Sequence, residues 1–86
     1  MASVEEIKQN VAASVDGTQR AVTGIQQVND QLDDALTLLR FTAIGSVHPS
    51  VAAAIAQLEQ AKTRLDEAAT LARSAIDAAD TYRMIV

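Results

Sequence analysis

The sequence predicts an all-α protein, a single antiparallel two-helix hairpin with helices over about residues 4–43 and 49–85. Three observations predict it: apolar or small residues recur every seven positions, one segment with glycine and proline interrupts the recurrence, and alanine dominates the apolar composition. The 86 residues make one domain, residues 1–86. A chain this short buries only part of its surface, so we expect association to add to its stability.

The first helix is predicted to begin at Val4. Ser3 and Glu6 match the S-x-x-E pattern of a capping box, in which the serine oxygen accepts a bond from an N–H of the first turn. Apolar or small residues then follow in two rows, the second three residues after the first. The rows are Val4, Val11, Thr18, Ile25, Leu32, Leu39 and Ile7, Ser14, Ala21, Val28, Ala35, Thr42, with Val15, Val22 and Leu36 widening the stripe on one side. Six heptads without proline predict a helix of about 40 residues, or ~60 Å.

The second helix is predicted from the same spacing after Pro49. Its row is Val51, Leu58, Leu65, Ala72, Ala79 and Val86, flanked by Ile55, Ala61, Ala68, Ala69 and Ile76. When the main rows of the two helices are paired in antiparallel order, from Val4 with Val86 to Leu39 with Val51, the two residue numbers of each pair sum to 90. A constant sum is expected of two helices that fold back on each other.

The connection is predicted to be a turn over residues 44–49. Gly45 is placed to end the first helix in a left-handed conformation, and Pro49 suits the first turn of the second helix. His48 lies between them and is the only histidine. A general base or a metal site needs further groups that converge on it, and the chain has no second histidine and no cysteine. We therefore expect His48 to have a capping or surface role.

The acidic segment "NDQLDDA" is a candidate cation site. It contains Asp30, Asp33 and Asp34, with Asp77 and Asp80 more loosely associated. On an ordinary helix these carboxylates form a solvated face, because they lack the glycine-turned loop of a calcium site. Phosphate-binding, serine-nucleophile and zinc-protease motifs are also missing from the sequence. We expect no enzyme, with no catalytic, metal or cofactor-binding residue and no cofactor.

Charge and hydropathy limit the partners and the location. The formal net charge of −4 argues against nucleic acid, whose binding needs clustered lysine and arginine. No segment approaches the ~20 apolar residues of a membrane span, and the first residues lack the basic and apolar regions of a secretory signal. We therefore expect neither nucleic acid nor a membrane as partner and a cytoplasmic location, with export by a route without a cleaved signal left open.

The apolar residues near the turn spread over more than one face of the first helix. A lone hairpin would leave some of them exposed, so we expect the chain to dimerise into a four-helix bundle or to form a larger helical assembly. The partner is then a second copy or a related helical protein. Gly17 and Gly24, one heptad apart, are either tolerated on an exposed flank, or permit close backbone approach inside the hairpin, or form a notch for another chain. The predicted interaction surface is Leu36, Leu38, Phe41, Ile44, Gly17 and Gly24.

The segment "GSVHPSVAAAIAQLEQAKTRLDEAATLARSAIDAADTYR" resembles small actinobacterial proteins of unknown function that combine a G-S-x-H-P-x-V turn with an alanine- and leucine-rich second helix. The resemblance implies a helical hairpin and carries no activity. The overall plan is also similar to the WXG100 proteins exported by type VII secretion, which are dimeric helical hairpins of about this size. Here, however, the turn has Gly45 without a tryptophan, and Tyr82 is not followed by an acidic residue four positions later.

Two functions follow from these observations. The first is a non-enzymatic, self-associating module for protein–protein interaction or scaffolding. The alternative, implied by the WXG100 resemblance, is a secreted or chaperone-like subunit of a type VII-like secretion system.

Overall fold

The computed structural model describes residues 3–45 and 48–85 and shows two α-helices in contact. The helices are α1 (Val4–Ile44) and α2 (Pro49–Ile85), 41 and 37 residues long. They fold back on each other into a rod of 63 × 20 × 14 Å, and the described residues contain no strand. The predicted helical hairpin is confirmed. Three residues named in the sequence prediction lie outside the described residues. They are Ser46 and Val47 of the turn and Val86 of the row predicted for the second helix.

The start of α1 is fixed by its cap. Ser3 has an extended backbone, and its side-chain oxygen accepts a hydrogen bond from the N–H of Glu6 at 3.2 Å. The carbonyl oxygen of Ser3 accepts the first helical bond, from the N–H of Ile7 at 3.0 Å. Glu5 and Glu6 place negative charge in the first turn, where the helix dipole favours it. The predicted start at Val4 is confirmed.

Gly45 follows the last residue of α1, but the left-handed conformation predicted for it is wrong. Its φ is −101° and its ψ is 6°, and no described residue has a positive φ. The N–H of Gly45 donates to the carbonyl oxygen of Thr42 at 3.1 Å, so the helix ends in a tightened i to i+3 turn. Other residues also adopt this backbone conformation. Glycine is therefore not required here by backbone strain.

The helices meet along a seam that differs from the predicted one on α1. The four most buried side chains are Val15, Val22, Leu36 and Ala69. The second buried row of α1 therefore lies four residues after the first, not three. The row predicted from the sequence is mostly exposed, at Ile7, Ser14, Ala21, Val28 and Thr42. The reason is size, since Val15, Val22 and Leu36 are larger than Ser14, Ala21 and Ala35 beside them, and burying them removes more apolar surface from water.

The predicted seam of α2 agrees with the structure at each described member except Ala68, which is exposed. The buried or half-buried members are Val51, Ile55, Leu58, Ala61, Leu65, Ala69, Ala72, Ile76 and Ala79. The register between the helices, in contrast, is shifted from the predicted pairing sum of 90. The numbers of the residues in contact sum to 95 for Asn29 with Asp66 and for Asp33 with Lys62, and to 99 for the longer Arg40 with Glu59. The turn explains the shift, because the numbers of Gly45 and Pro49, which flank it, sum to 94.

Candidate interaction surface

Three large apolar side chains of α1 are exposed close to the turn. Leu38, Phe41 and Ile44 have 70%, 75% and 83% of their surface accessible to water. We call these three residues the turn shoulder. A spacing of three residues makes side chains neighbours on a helix surface, so the turn shoulder forms one apolar patch. Grouped apolar side chains on a surface mark interaction sites more often than scattered ones do.

Leu36 does not belong to this patch, although the sequence placed it there. It is only 1% exposed and is the most buried large side chain of the hairpin. Two residues correspond to about 200° of rotation around a helix, so Leu36 faces α2 while Leu38 faces solvent. Leu36 is thus a residue of the seam, and the turn shoulder keeps the other three predicted members.

Gly17 and Gly24 face open space. A Cβ atom built on either glycine would find no neighbouring atom within 4 Å. The backbone of α2 therefore does not approach them, which rules out close packing inside the hairpin as their reason. Each glycine costs up to about 1 kcal/mol relative to alanine within a helix. The two remaining interpretations are tolerance on an exposed flank and a notch for another chain.

His48 caps the start of α2. Its Nδ1 accepts a hydrogen bond from the N–H of Ser50 at 3.2 Å, and the Ser50 hydroxyl oxygen lies 2.6 Å from the same nitrogen. The carbonyl oxygen of His48 accepts a bond from the N–H of Val51 at 3.1 Å. Pro49 is the first residue of the helix, where its missing N–H has no intrahelical partner. The imidazole thus has the capping role predicted from the sequence.

Replacing His48 by alanine should lower the free energy of unfolding by about 0.5–1 kcal/mol, the typical effect of losing an N-cap acceptor. The mass of any assembly should stay unchanged, because the imidazole is exposed at the end of the rod. Urea unfolding and sedimentation velocity measure the two quantities. His48→Asp, which supplies a preferred cap and a favourable charge, is the control and should recover the stability. If His48→Ala fails to assemble while His48→Asp assembles normally, the turn itself would be a candidate interaction site.

Polar contacts between the helices lie on one side of the seam, which we call the bridged flank. Within residues 3–45 and 48–85 the contacts are Asn29 with Asp66 at 2.8 Å, Arg40 with Glu59 at 3.0 Å, and Asp33 with Lys62. The ion pairs are partly or largely exposed, so each contributes about 0–1 kcal/mol. Their main consequence is geometric, since charged side chains mark this side of the rod.

The acidic residues do not converge on a common point. Asp33 contacts Lys62, and Asp80 accepts a bond from Arg83 at 3.0 Å. In the part of the chain that the structure describes, no group of three or more His, Cys, Asp or Glu side chains is placed to hold a metal ion. Asp33 and Asp80 instead contact the positively charged side chains beside them, those of Lys62 and Arg83.

An open groove lies on the bridged flank where the seam side chains are small. Its volume is about 450 Å³, and it is lined by Gln19, Val22, Thr23, Arg73, Ile76 and Asp77. A small-molecule site usually buries most of its ligand and converges several polar groups on it. Here the polar lining residues are exposed along the edge, and Val22 and Ile76 form the apolar floor. We interpret the groove as a consequence of small seam residues.

Comparisons with protein-family models, with curated proteins and with solved structures find no match to this chain. Neither helix, over its described residues, combines the length and hydropathy needed to cross a membrane. Both resemblances noted from the sequence stay predictions. The function has to be argued from the surface of the chain itself.

Proposed function

We propose that this protein is a non-enzymatic helical hairpin that associates with copies of itself and serves as a protein–protein interaction or scaffold module, located in the cytoplasm. The observation that carries the proposal is the surface area that a single chain leaves exposed. Two further features support it, the small core of the hairpin and the exposed apolar turn shoulder.

The exposed area is large for a chain of this mass. A single chain exposes 6208 Å². A folded monomer of 9.1 kDa is expected to expose about 4,900 Å², so the excess is roughly 1,300 Å². A stable protein–protein interface buries about 800 Å² of each partner. One interface of ordinary size would therefore remove most of the excess.

The core of one hairpin is small, so packing against another copy would add to its stability. Among the described residues only four side chains are buried, and two-helix units gain stability mainly by packing an apolar face on another element. The turn shoulder adds three large apolar side chains that only a partner can cover. Self-association satisfies both requirements with the chain alone.

Sedimentation velocity at micromolar concentration tests the proposal. The wild-type chain should sediment with a mass above that of one chain. Phe41→Asp should give a smaller assembly, because it places a charge in the turn shoulder. Gln27→Asp is the matched control, since Gln27 is exposed two heptads earlier on the same row of α1 and should leave the mass unchanged.

A wild-type protein that is only monomeric across the micromolar range would overturn the proposal. If that monomer became stably folded on addition of a co-expressed helical neighbour, the secretion-system alternative would take its place. If the wild-type chain associates and Phe41→Asp has the same mass as the wild-type assembly, the turn shoulder is not part of the interface. Self-association itself would still hold.

A further inference from the structure

One long side of the hairpin carries no charged residue. It lies across the seam from the bridged flank, and we call it the uncharged flank. Its members are Ile7, Ser14, Ala21, Val28, Ala35 and Thr42 on α1 and Ala54, Ala61, Ala68, Ala75 and Tyr82 on α2. Residues seven apart share one side of a helix, so each set forms a continuous row. The α1 row alone extends for about 50 Å at 1.5 Å per residue.

Most of the uncharged flank is left open by the hairpin. Its exposed members include Ile7, Val28, Ala68 and Ala75, whereas Ala35, Ala54, Ala61 and Tyr82 are half-buried. The α1 row has the heptad repeat of a helix seam, and the sequence alone assigns it to the contact with α2. The structure instead turns Val15, Val22 and Leu36 toward α2. A row with seam character therefore faces solvent in a single chain.

The distribution of charge around the rod is uneven. The chain has seven basic and eleven acidic residues, and none occupies the uncharged flank. The adjoining row of α1 is also uncharged, with Asn10, Gly17, Gly24, Gln31 and Leu38. All three side-chain contacts between the helices described above lie on the opposite side. Removing water from this side therefore costs less free energy than removing it from any other side of the rod.

We propose that the uncharged flank is covered by the uncharged flank of a second copy of this chain, in a two-fold symmetric pair. The inference rests on the proposed self-association and names the face that performs it. Two copies that each carry a net charge of −4 repel each other, and this face lowers the repulsion because it keeps their charged side chains out of the contact. The excess exposed area described above is sufficient for one such interface.

The rows also fit each other sterically. The α2 row consists of four alanines and one tyrosine, and small side chains allow helix axes to approach to about 8 Å. Val28 of one copy then has a shallow alanine surface to pack against on the other, and Ile7 lies at the end of the rod that carries Tyr82. Gly17 and Gly24 border this face with open space around them, so they fit the notch for another chain. Phe41 and Ile44 lie outside the pair and stay available to join one pair to another.

The first test adds charge to the uncharged flank. Ala68→Glu/Ala75→Glu changes two exposed alanines, and two-fold symmetry brings four new charges to the interface. We expect the dissociation constant to rise at least about 100-fold, measured by sedimentation equilibrium. Ala13→Glu/Ala56→Glu adds the same two charges at exposed alanines on other sides of the rod and is the matched control. The control should associate like the wild-type chain.

The second test does not depend on the charged variant staying folded. The chain has no cysteine, so Ala68→Cys and Ala56→Cys each carry a single thiol at an exposed position of α2. In the assembled protein, the thiol at position 68 should react with a maleimide about tenfold more slowly than the thiol at position 56. Dilution below the dissociation constant, or unfolding in urea, should make the two rates equal.

The outcomes separate this inference from the proposed function. A monomeric wild-type chain overturns both. An oligomeric wild-type chain whose position-68 thiol reacts as fast as the position-56 thiol overturns the uncharged flank as the interface and leaves self-association standing. Equal loss of association in the two double-glutamate variants also overturns it, because the effect would then be one of total charge.

Discussion

Leu36→Ala should cause the largest loss of stability of any single side-chain truncation in the hairpin, about 2–5 kcal/mol. Leu36 is 1% exposed, so its truncation removes buried apolar surface and leaves a cavity in the seam. A chain of this length has a total stability of about 4–13 kcal/mol if it follows the usual range per residue. We therefore expect urea unfolding, followed by far-ultraviolet circular dichroism, to show a much lower midpoint or a chain that is partly unfolded in buffer.

Leu38→Ala is the matched control for Leu36→Ala. It makes the same chemical change two residues away, at a side chain that is 70% exposed. The loss for Leu36 arises inside one chain, so it should be the same at every protein concentration. Any loss for Leu38 should come from association and should therefore depend on concentration. Equal, concentration-independent losses for both variants would contradict the seam described here.

The ends of the helices are predictable from the sequence because local chemistry determines them. Ser3 with Glu6 identifies the start of α1, and Pro49 identifies the start of α2 to the residue. The end of α1 falls one residue beyond the predicted position, at Ile44. The conformation of Gly45 is a different case, since glycine adopts negative and positive φ with similar ease. Its residue type therefore cannot select between the two kinds of helix end.

Periodicity alone does not predict which side of α1 contacts α2. The rows that contain Ser14 and Val15 have the same repeat and lie about 100° apart around the helix. Both consist largely of small or apolar residues, so the pattern predicts a wide stripe and not which half of it contacts α2. The contact with α2 decides, and it selects the row with the larger side chains. The other row then becomes a surface that a second copy can cover.

Asn29 lies near the centre of the buried α1 row, where the heptad pattern does not anticipate a polar side chain. It continues the row of Val15, Val22 and Leu36, and its Nδ2 donates a hydrogen bond to Asp66 at 2.8 Å. Its Oδ1 is buried and has no hydrogen-bond partner among the described residues. A buried carbonyl oxygen without a partner costs about 1–3 kcal/mol. The seam therefore contains a local source of instability near its centre.

Asn29→Leu should raise the free energy of unfolding by about 1–2 kcal/mol, after allowance for the lost bond to Asp66. For a domain of this size each kcal/mol raises Tm by roughly 4–8 °C, which thermal unfolding at fixed protein concentration resolves. Gln27→Leu, which also replaces a carboxamide by leucine but at an exposed position, should leave Tm nearly unchanged. A lower Tm for Asn29→Leu would mean that the carboxamide is satisfied in the native protein, contrary to the unpartnered Oδ1. The hairpin itself should persist, because the short turn between Gly45 and Pro49 holds the register without Asn29.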